Sequence, residues 1–183
     1  VLRPLEILQF SGEKGPQFLP TDRRLRHGLQ SQHVSATLRG LLAGVYGDKT
    51  LAADSRSRLV IPAVRAKRGR AGAIVTPHPP GRTAYRDVSA VDAALASSAA
   101  PTYFDEVTFD GPIALETFLD GGVWANNPIL PALAEAVRYL KIPLDRIDVL
   151  SIGTLSSESN FTDQLGKGKA GWAPHSVDLF FAA

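Results

Sequence analysis

The order of apolar and polar positions along the chain predicts helices and strands in alternation. Leu38, Leu41, Leu42 and Val45 are spaced for one apolar face of a helix around Ser31 to Leu42. The runs "RLVIPAV" and "AGAIVTPH" are rich in strand-forming residues and contain or end near prolines. They therefore predict two strands on either side of a basic turn.

The next two segments predict a helix and then a strand pair. "DVSAVDAALASSAAPTYF" is rich in alanine and predicts a helix that is capped by Asp87 or Ser89 and ends before Pro101. "EVTFDGPIALETFLDGG" predicts a strand, a tight turn at Asp110–Gly111 and a second strand that ends on Asp120.

The last third of the pattern completes a layered arrangement. Asn127 is a suitable N-cap and Pro128 a suitable first helical residue, which predicts a helix to about Leu140. "IDVLSIGT" is a nearly continuous apolar run of the kind found in buried parallel strands. Helices that alternate with such strands predict an α/β domain.

Composition limits the classes of protein to which this chain can belong. Its 183 residues, 44% of them hydrophobic, are enough for one domain with a core. The absence of cysteine excludes disulfides and thiolate metal sites. The chain also lacks methionine and ends in "HSVDLFFAA", which predicts a helix that begins at Ser176 and is cut short. We therefore expect both ends to be truncated or processed.

Basic residues are concentrated in one part of the chain. No acidic residue occurs from Ser55 to Tyr85, and four of the cations there form a candidate anion-binding or membrane-facing surface: Arg65, Lys67, Arg68 and Arg70. The alternative is an ordinary solvated basic face. Nucleic acid is not an expected partner, because aromatic residues are not interleaved with these cations.

Asp120 is the candidate catalytic residue, since it ends an apolar run and is followed at once by Gly121 and Gly122. Glycines there permit a positive φ and a close approach of other groups to the backbone. A partly desolvated carboxylate on a rigid turn is suited to general-base chemistry. On spacing alone, an ordinary turn explains the three residues equally well.

Three segments, taken in order, resemble the second part of a patatin-like phospholipase domain: "ALASSAAPTYF", "FLDGGVWANNPILPALAEA" and "IDVLSIGT". The resemblance implies a three-layer α/β/α fold with a mostly parallel sheet, incomplete at the N-terminus, over residues 1–183. It also implies that Asp120 is the aspartate of a Ser–Asp dyad, in the family's DGG motif with Gly121 and Gly122. The implied activity is phospholipase A-type hydrolysis of acyl lipids through an acyl-enzyme.

The chain departs from the family pattern in two elements. No serine lies in a Gly-x-Ser-x-Gly elbow, and Ser151, the nearest approach, has Val149 where the first glycine should be. The glycine-rich match at 166–171, "GKGKAG", follows a polar loop and comes after Asp120, so we interpret it as a loop, or at most as an anion contact through Lys167 and Lys169. We expect the nucleophile and the oxyanion loop to lie upstream of Val1, and the segment alone to be inactive.

Other residues that could carry chemistry have simpler interpretations. The four histidines have no metal-like spacing, and surface or structural roles are expected for them: His27, His33, His78 and His175. Ser97 and Ser98 are expected to pack near the strand of Asp120. Trp124 could line an acyl pocket or pack in the core. No metal or cofactor is expected.

Two further functions remain open at this stage. One is a catalytically inactive regulatory or ligand-binding protein of the same fold, whose basic stretch binds an anionic ligand or a nucleotide. Gating by nucleotide messengers is also known in bacterial members of the family and can coexist with hydrolysis. The other is an assembly partner that receives strands from another chain. The expected partners are an acyl lipid and a membrane surface, and the expected location is the cytoplasm or the membrane periphery.

Overall fold

The computed structural model describes residues 5–6, 35–78, 81–109, 116–153, 160–176 and 179. Within them, five strands form one sheet. Four of them follow the order β1, β2, β5, β4, and the fifth, β3, also pairs with β2. Their bounds are β1 Leu5–Glu6, β2 Arg58–Arg65, β3 Arg70–Val75, β4 Val107–Thr108 and β5 Thr117–Asp120.

The central element is an antiparallel hairpin of β2 and β3, which confirms the predicted strand pair. Val60 pairs with Val75 at one end and Arg65 with Arg70 at the other. A short 3-10 turn at Ala66–Arg68 joins the strands, and it closes on Gly69 in the left-handed region. Pro62 lies inside β2 instead of interrupting it.

The described strands do not confirm the expectation of a mostly parallel sheet. Only β1 and β2 pair in parallel, whereas β5 runs antiparallel to both β2 and β4. The reason is local: β3 follows β2, and β5 follows β4, after connections short enough for hairpins, and parallel neighbours need longer crossovers. The predicted turn at Asp110–Gly111 lies outside the described residues.

Helix α2, Ala90–Ser97, packs directly on the sheet against β2 and β5. Its N-cap is Ser89, whose hydroxyl accepts the Asp92 N–H at 2.9 Å, so one of the two predicted caps is correct. Alanine dominates its buried positions, and this small side chain brings the helix close to the strands. The hydrophobic core surrounds this contact, with Ile74 and Phe118 among its most buried members.

Helix α1, Ser35–Tyr46, packs on α2. Arg39 joins the two helices through an ion pair of 2.7 Å with Asp92. The predicted apolar face is half right: Leu38 and Leu42 pack against the core, but Leu41 and Val45 are 66% and 69% exposed. The spacing Leu38, Leu42, Tyr46 defines the buried side because residues four apart share one side of a helix.

Two helices follow β5. A single turn, α3 at Gly122–Ala125, was not predicted, and α4 spans Ile129–Arg138. The α4 helix begins one residue later than expected, although Asn127 does accept the Ile129 N–H through its side chain at 3.1 Å. Both helices contact β2.

The apolar run at 147–153 is not a strand, which corrects the prediction from "IDVLSIGT". Leu150 and Ile152 are 82% and 86% exposed. A strand requires a ladder of hydrogen bonds with a neighbour, and no described strand pairs with this run. Its apolar sequence alone therefore could not determine its structure.

The end of the described chain also differs from expectation. The glycine-rich match contains the start of a short helix, α5 Gly168–Trp172, and φ is positive at Gly166 before the helix and at Gly168, its first residue. It is thus a turn and a helix start, not a simple loop. Residues 177–178 and 180–183 lie outside the described residues, so the predicted helix from Ser176 cannot be followed.

Candidate functional site

Asp120 ends β5 and is completely buried, with 0% exposure. It pairs with Ala63 of β2, so the two side chains lie on the same face of the sheet. Its backbone N–H donates to the Ala99 carbonyl at 3.0 Å. The residue is therefore fixed between the sheet and the segment that follows α2.

The two carboxylate oxygens of Asp120 have different surroundings. Oδ1 accepts the Gly122 N–H at 2.6 Å, whereas Oδ2 is buried without a hydrogen-bond partner among the described residues. Burial raises the pKa of Asp120 to about 7, and the Gly122 hydrogen bond opposes that rise only in part. An unpaired buried carboxylate oxygen is costly, so it marks a place where a partner is needed.

Position 121 requires glycine because there is no room for a side chain. A Cβ at this position would collide with the backbone carbonyl of Pro62 and would lie 2.6 Å from the Pro62 Cβ. The φ of −69° at Gly121 is open to any residue, so of the two properties expected of glycine here, the positive φ is not used at this position. The close approach to the neighbouring strand is the reason that glycine occurs here.

The end of α2 contacts this turn through Ser97, which agrees with the packing expected for that residue near the strand of Asp120. The Ser97 carbonyl accepts the Gly121 N–H at 3.2 Å, and the Ser97 hydroxyl donates to the Pro62 carbonyl at 2.8 Å. The Ser98 hydroxyl instead donates to the Ala94 carbonyl of its own helix at 2.8 Å.

Trp124 lies beside the site without belonging to the core. Its side chain is 40% exposed, and its indole N–H donates to the Ala63 carbonyl at 3.2 Å. The prediction left an acyl pocket and core packing as alternatives. The exposure excludes a fully packed core position, and the hydrogen bond anchors α3 to the strand that pairs with Asp120.

The four cations of the candidate anion surface fall into two groups. Arg65 is half-buried and donates to the Tyr85 hydroxyl at 2.7 Å, which gives it a structural role. Lys67, Arg68 and Arg70 are exposed on and beside the hairpin turn. Arg68 forms an ion pair of 2.9 Å with Glu116, and its side chain is 62% exposed.

A second buried polar cluster was not predicted as a unit. His78 contacts the Thr76 hydroxyl at 2.8 Å through Nδ1 and Glu135 at 3.2 Å through Nε2, and Arg82 donates to Glu135 at 2.8 Å. Burial, with the nearby Arg58 and Arg82, lowers the pKa of His78 to about 4. Burial raises the pKa of Glu135 and Arg82 opposes that rise. The cluster fastens α4 to the end of β3.

The expected structural role of His78 agrees with this position. His27 and His33 lie outside the described residues, and His175 is half-buried near the end of the described chain. Among the residues that the structure covers, no three His, Asp or Glu side chains are grouped as metal ligands. In the same residues, no helix has both the length and the apolar character needed to cross a membrane.

Comparison with known proteins agrees with the fold and the sequence motifs. The family model described as patatin-like phospholipase matches residues 10–133, which is more than half of the 183 residues. The chain therefore belongs to the patatin-like phospholipase family. This membership also gives the fold class, a three-layer α/β/α fold.

Three curated relatives have the same name, cGAMP-activated phospholipase. The Vibrio cholerae protein is 32% identical over 172 residues, covering 89% of this chain and 47% of the relative. The Escherichia coli protein is 35% identical over 135 residues, which is 72% of this chain and 37% of the relative. The Pseudomonas aeruginosa protein is 32% identical over 164 residues, with 88% and 48% covered. This chain spans about half the length of the curated relatives that it matches, or less.

Proposed function

We propose that the whole protein is a lipid acyl hydrolase of the phospholipase A type and that Asp120 is its general base. The observation that carries this proposal is the Oδ2 atom of Asp120, which is buried at the end of β5 and has no hydrogen-bond partner among the residues that the structure describes. An oxygen in this state is ready to accept a proton from a hydroxyl group that reaches it. Membership of the patatin-like phospholipase family supports the same reaction class.

The proposed nucleophile is a serine in a segment that precedes Val1, because this sequence contains no Gly-x-Ser-x-Gly elbow. Its hydroxyl oxygen would attack the ester carbonyl carbon while its proton passes to Asp120 Oδ2. Collapse of the tetrahedral intermediate expels the lysolipid alkoxide, which takes that proton, and leaves an acyl-enzyme. Water, deprotonated by the same carboxylate, then releases the fatty acid and restores the serine.

The raised pKa of Asp120 suits this role. A base with a pKa of about 7 is half-deprotonated at neutral pH and binds the serine proton far better than an ordinary carboxylate does. Gly122 holds Oδ1 at 2.6 Å and so directs Oδ2 away from the turn. The remaining hydrogen-bonding capacity of the carboxylate is thus kept for the reacting hydroxyl.

The experiment is the Asp120→Asn substitution in the full-length protein, assayed for fatty-acid release from phosphatidylglycerol vesicles. Asn is close to isosteric and keeps an oxygen for the Gly122 N–H, but its amide cannot take a proton. We expect activity to fall by at least about a thousandfold. Asp87→Asn, at a side chain that is 66% exposed, is the matched control and should keep activity. Activity retained in Asp120→Asn would rule out the dyad.

A second proposal concerns the exposed hairpin cations Lys67, Arg68 and Arg70, which we propose as a phosphate-binding surface. Three relatives are named cGAMP-activated phospholipases, and a cyclic dinucleotide carries two phosphates that such cations bind. Arg65 and Arg70 are also direct cross-strand partners. Like charges in that position repel each other, and a nearby anion, either Glu116 or a bound phosphate, would reduce the repulsion.

The test compares two sources of the same phosphate chemistry. Binding of cGAMP and binding of anionic vesicles are each measured on the full-length protein and on a Lys67→Gln, Arg68→Gln, Arg70→Gln variant. The control neutralises three other exposed cations, Lys49, Lys141 and Arg146. Loss of cGAMP binding in the hairpin variant alone supports a nucleotide site, and loss of vesicle binding alone supports a membrane contact. Equal effects in the hairpin variant and the control would refute the surface.

The same assay separates a gated hydrolase from an inactive binding protein. If cGAMP binds and raises fatty-acid release, gating and hydrolysis occur together. If it binds and no release is detected with any of the probes, the alternative of a regulatory protein on the patatin fold replaces the hydrolase.

A further inference from the structure

Three segments that are distant in sequence meet at the backbone of Gly121. They are β2 at Pro62, the last residue of α2 at Ser97, and the turn that follows Asp120. Ser97 takes part twice: its hydroxyl donates to the Pro62 carbonyl at 2.8 Å, and its carbonyl accepts the Gly121 N–H at 3.2 Å. Its exposure is 0%, so both bonds are shielded from water.

The partner that the Ser97 hydroxyl selects is unusual for a serine in a helix. Such a hydroxyl ordinarily donates to a carbonyl of its own helix one turn earlier, as Ser98 does with Ala94. Ser97 instead bonds to a strand 35 residues away. A buried hydroxyl in an alanine-rich helix costs free energy unless it is paired, so this contact is specific.

The position of the Pro62 carbonyl determines where Gly121 can lie. Gly121 packs so closely on this carbonyl that even a single added carbon atom would collide with it. A small shift of Pro62 toward the turn would therefore push Gly121, and with it the adjacent carboxylate of Asp120. The Ser97 hydroxyl holds that carbonyl in place, while the Ser97 carbonyl holds Gly121 itself.

We propose that Ser97 is a positioning residue for the reaction, one that sets the orientation of Asp120 without touching substrate. This inference rests on the proposed role of Asp120 as general base. It assigns a function to the hydroxyl contact between α2 and β2, which alanine at this position would lack. Misplacement of a catalytic group by a fraction of an ångström lowers kcat more than it changes KM.

The experiment compares Ser97→Ala with Ser98→Ala in the full-length protein, using para-nitrophenyl butyrate as the acyl-ester probe. The two variants remove adjacent buried hydroxyls with hydrogen bonds of 2.8 Å, but only one bond reaches β2. We expect Ser97→Ala to lower kcat by about tenfold or more, with KM within about twofold, and to move the acidic limb of the pH–rate profile. Ser98→Ala should keep both kcat and that limb.

Denaturant unfolding of both variants identifies a purely structural effect. If Ser97→Ala and Ser98→Ala lose similar stability and neither changes kcat or the acidic limb, the proposal is overturned. Should Ser97→Ala fail to fold, Ser97→Cys, which leaves no cavity but donates only weakly, replaces it with the same expected result. Asp120→Asn distinguishes failure of the proposed function from failure of the positioning role. If Asp120→Asn stays active, the proposed function fails. If Asp120→Asn is inactive but the Ser97 variants keep normal kcat and pH dependence, only the positioning role of Ser97 fails.

Discussion

Gly121 and the carbonyl group of Pro62 are packed so closely that no β-carbon fits between the two residues. The contact joins the turn after Asp120 to the central strand of the sheet. Since protein interiors are close-packed, the strand and the turn cannot adjust independently of each other. The location of the buried carboxylate is therefore determined by backbone packing as well as by hydrogen bonds.

Gly121→Ala is expected to destabilise the protein by about 2 kcal/mol or more, because the new methyl group must displace the Pro62 backbone. The measurement is the urea midpoint of the full-length protein. Gly40→Ala in α1 is the matched control, since nothing lies within 4 Å of a Cβ there. That change should be stabilising by up to about 1 kcal/mol, as alanine favours a helix interior. Two variants of equal stability would contradict the close contact.

The pH–activity profile should report the desolvation of Asp120. In the proposed mechanism Asp120 accepts a proton only when it is deprotonated, so kcat/KM should fall about tenfold per pH unit below a pKa of about 7. An ordinary aspartate would give this limb near its usual value of 3.8. A limb found near that lower value would mean that the carboxylate is solvated in the working enzyme.

The contribution of Asp120 to the unfolding free energy should fall as the pH rises, whereas the activity should increase. The folded-state pKa of Asp120 is raised, so its contribution is fully present below pH 3.8 and is lost as the pH rises through about 7. Asp120→Asn removes the buried charge and should be more stable than the wild type at pH 8 by about 2 kcal/mol. At pH 4 the difference should nearly vanish. A difference that is independent of pH between 4 and 8 would refute the raised pKa.

His78 should make the protein sensitive to acid. Its pKa is lowered to about 4 in the folded state from 6.5, so the unfolded chain binds a proton first as the pH falls. Its contribution is thus fully present above pH 6.5 and is lost progressively toward pH 4, by roughly 2 kcal/mol after allowance for partial solvation. His78→Gln should flatten the unfolding free energy over this interval.

The pH dependence of Glu135 differs from that of His78, and this difference is needed to interpret the His78→Gln result. Its pKa is raised by burial, so its own contribution is lost as the pH rises, which is the opposite slope. A wild-type loss of stability toward acid that persists in His78→Gln would therefore have to come from other groups. That outcome would contradict the assignment to His78.

Local sequence signals predicted those parts of the structure that depend on neighbouring residues. The β2–β3 hairpin, the Ser89 cap and the strand that ends on Asp120 follow from strand propensity, capping chemistry and turn residues within a few positions. The placement of Asp120 at the end of β5 follows from its position at the end of an apolar run, whereas its catalytic role stays a prediction.

Features that depend on distant partners could not be predicted in the same way. The apolar run at 147–153 has the composition of a strand, but a strand exists only where another strand pairs with it. His78 and Glu135 are 57 residues apart, and no spacing rule connects them. The need for glycine at position 121 comes from the Pro62 backbone, which no sequence window contains.

The contact of Ser97 with Pro62 and Gly121 also has a consequence for biosynthesis. The chain is made from its N-terminus, so β2 is complete long before the residues after Asp120 have been added. The contacts among the three segments cannot form until the last of them has emerged and has docked on the other two. An unfinished chain therefore lacks the contacts that bury and position the Asp120 carboxylate.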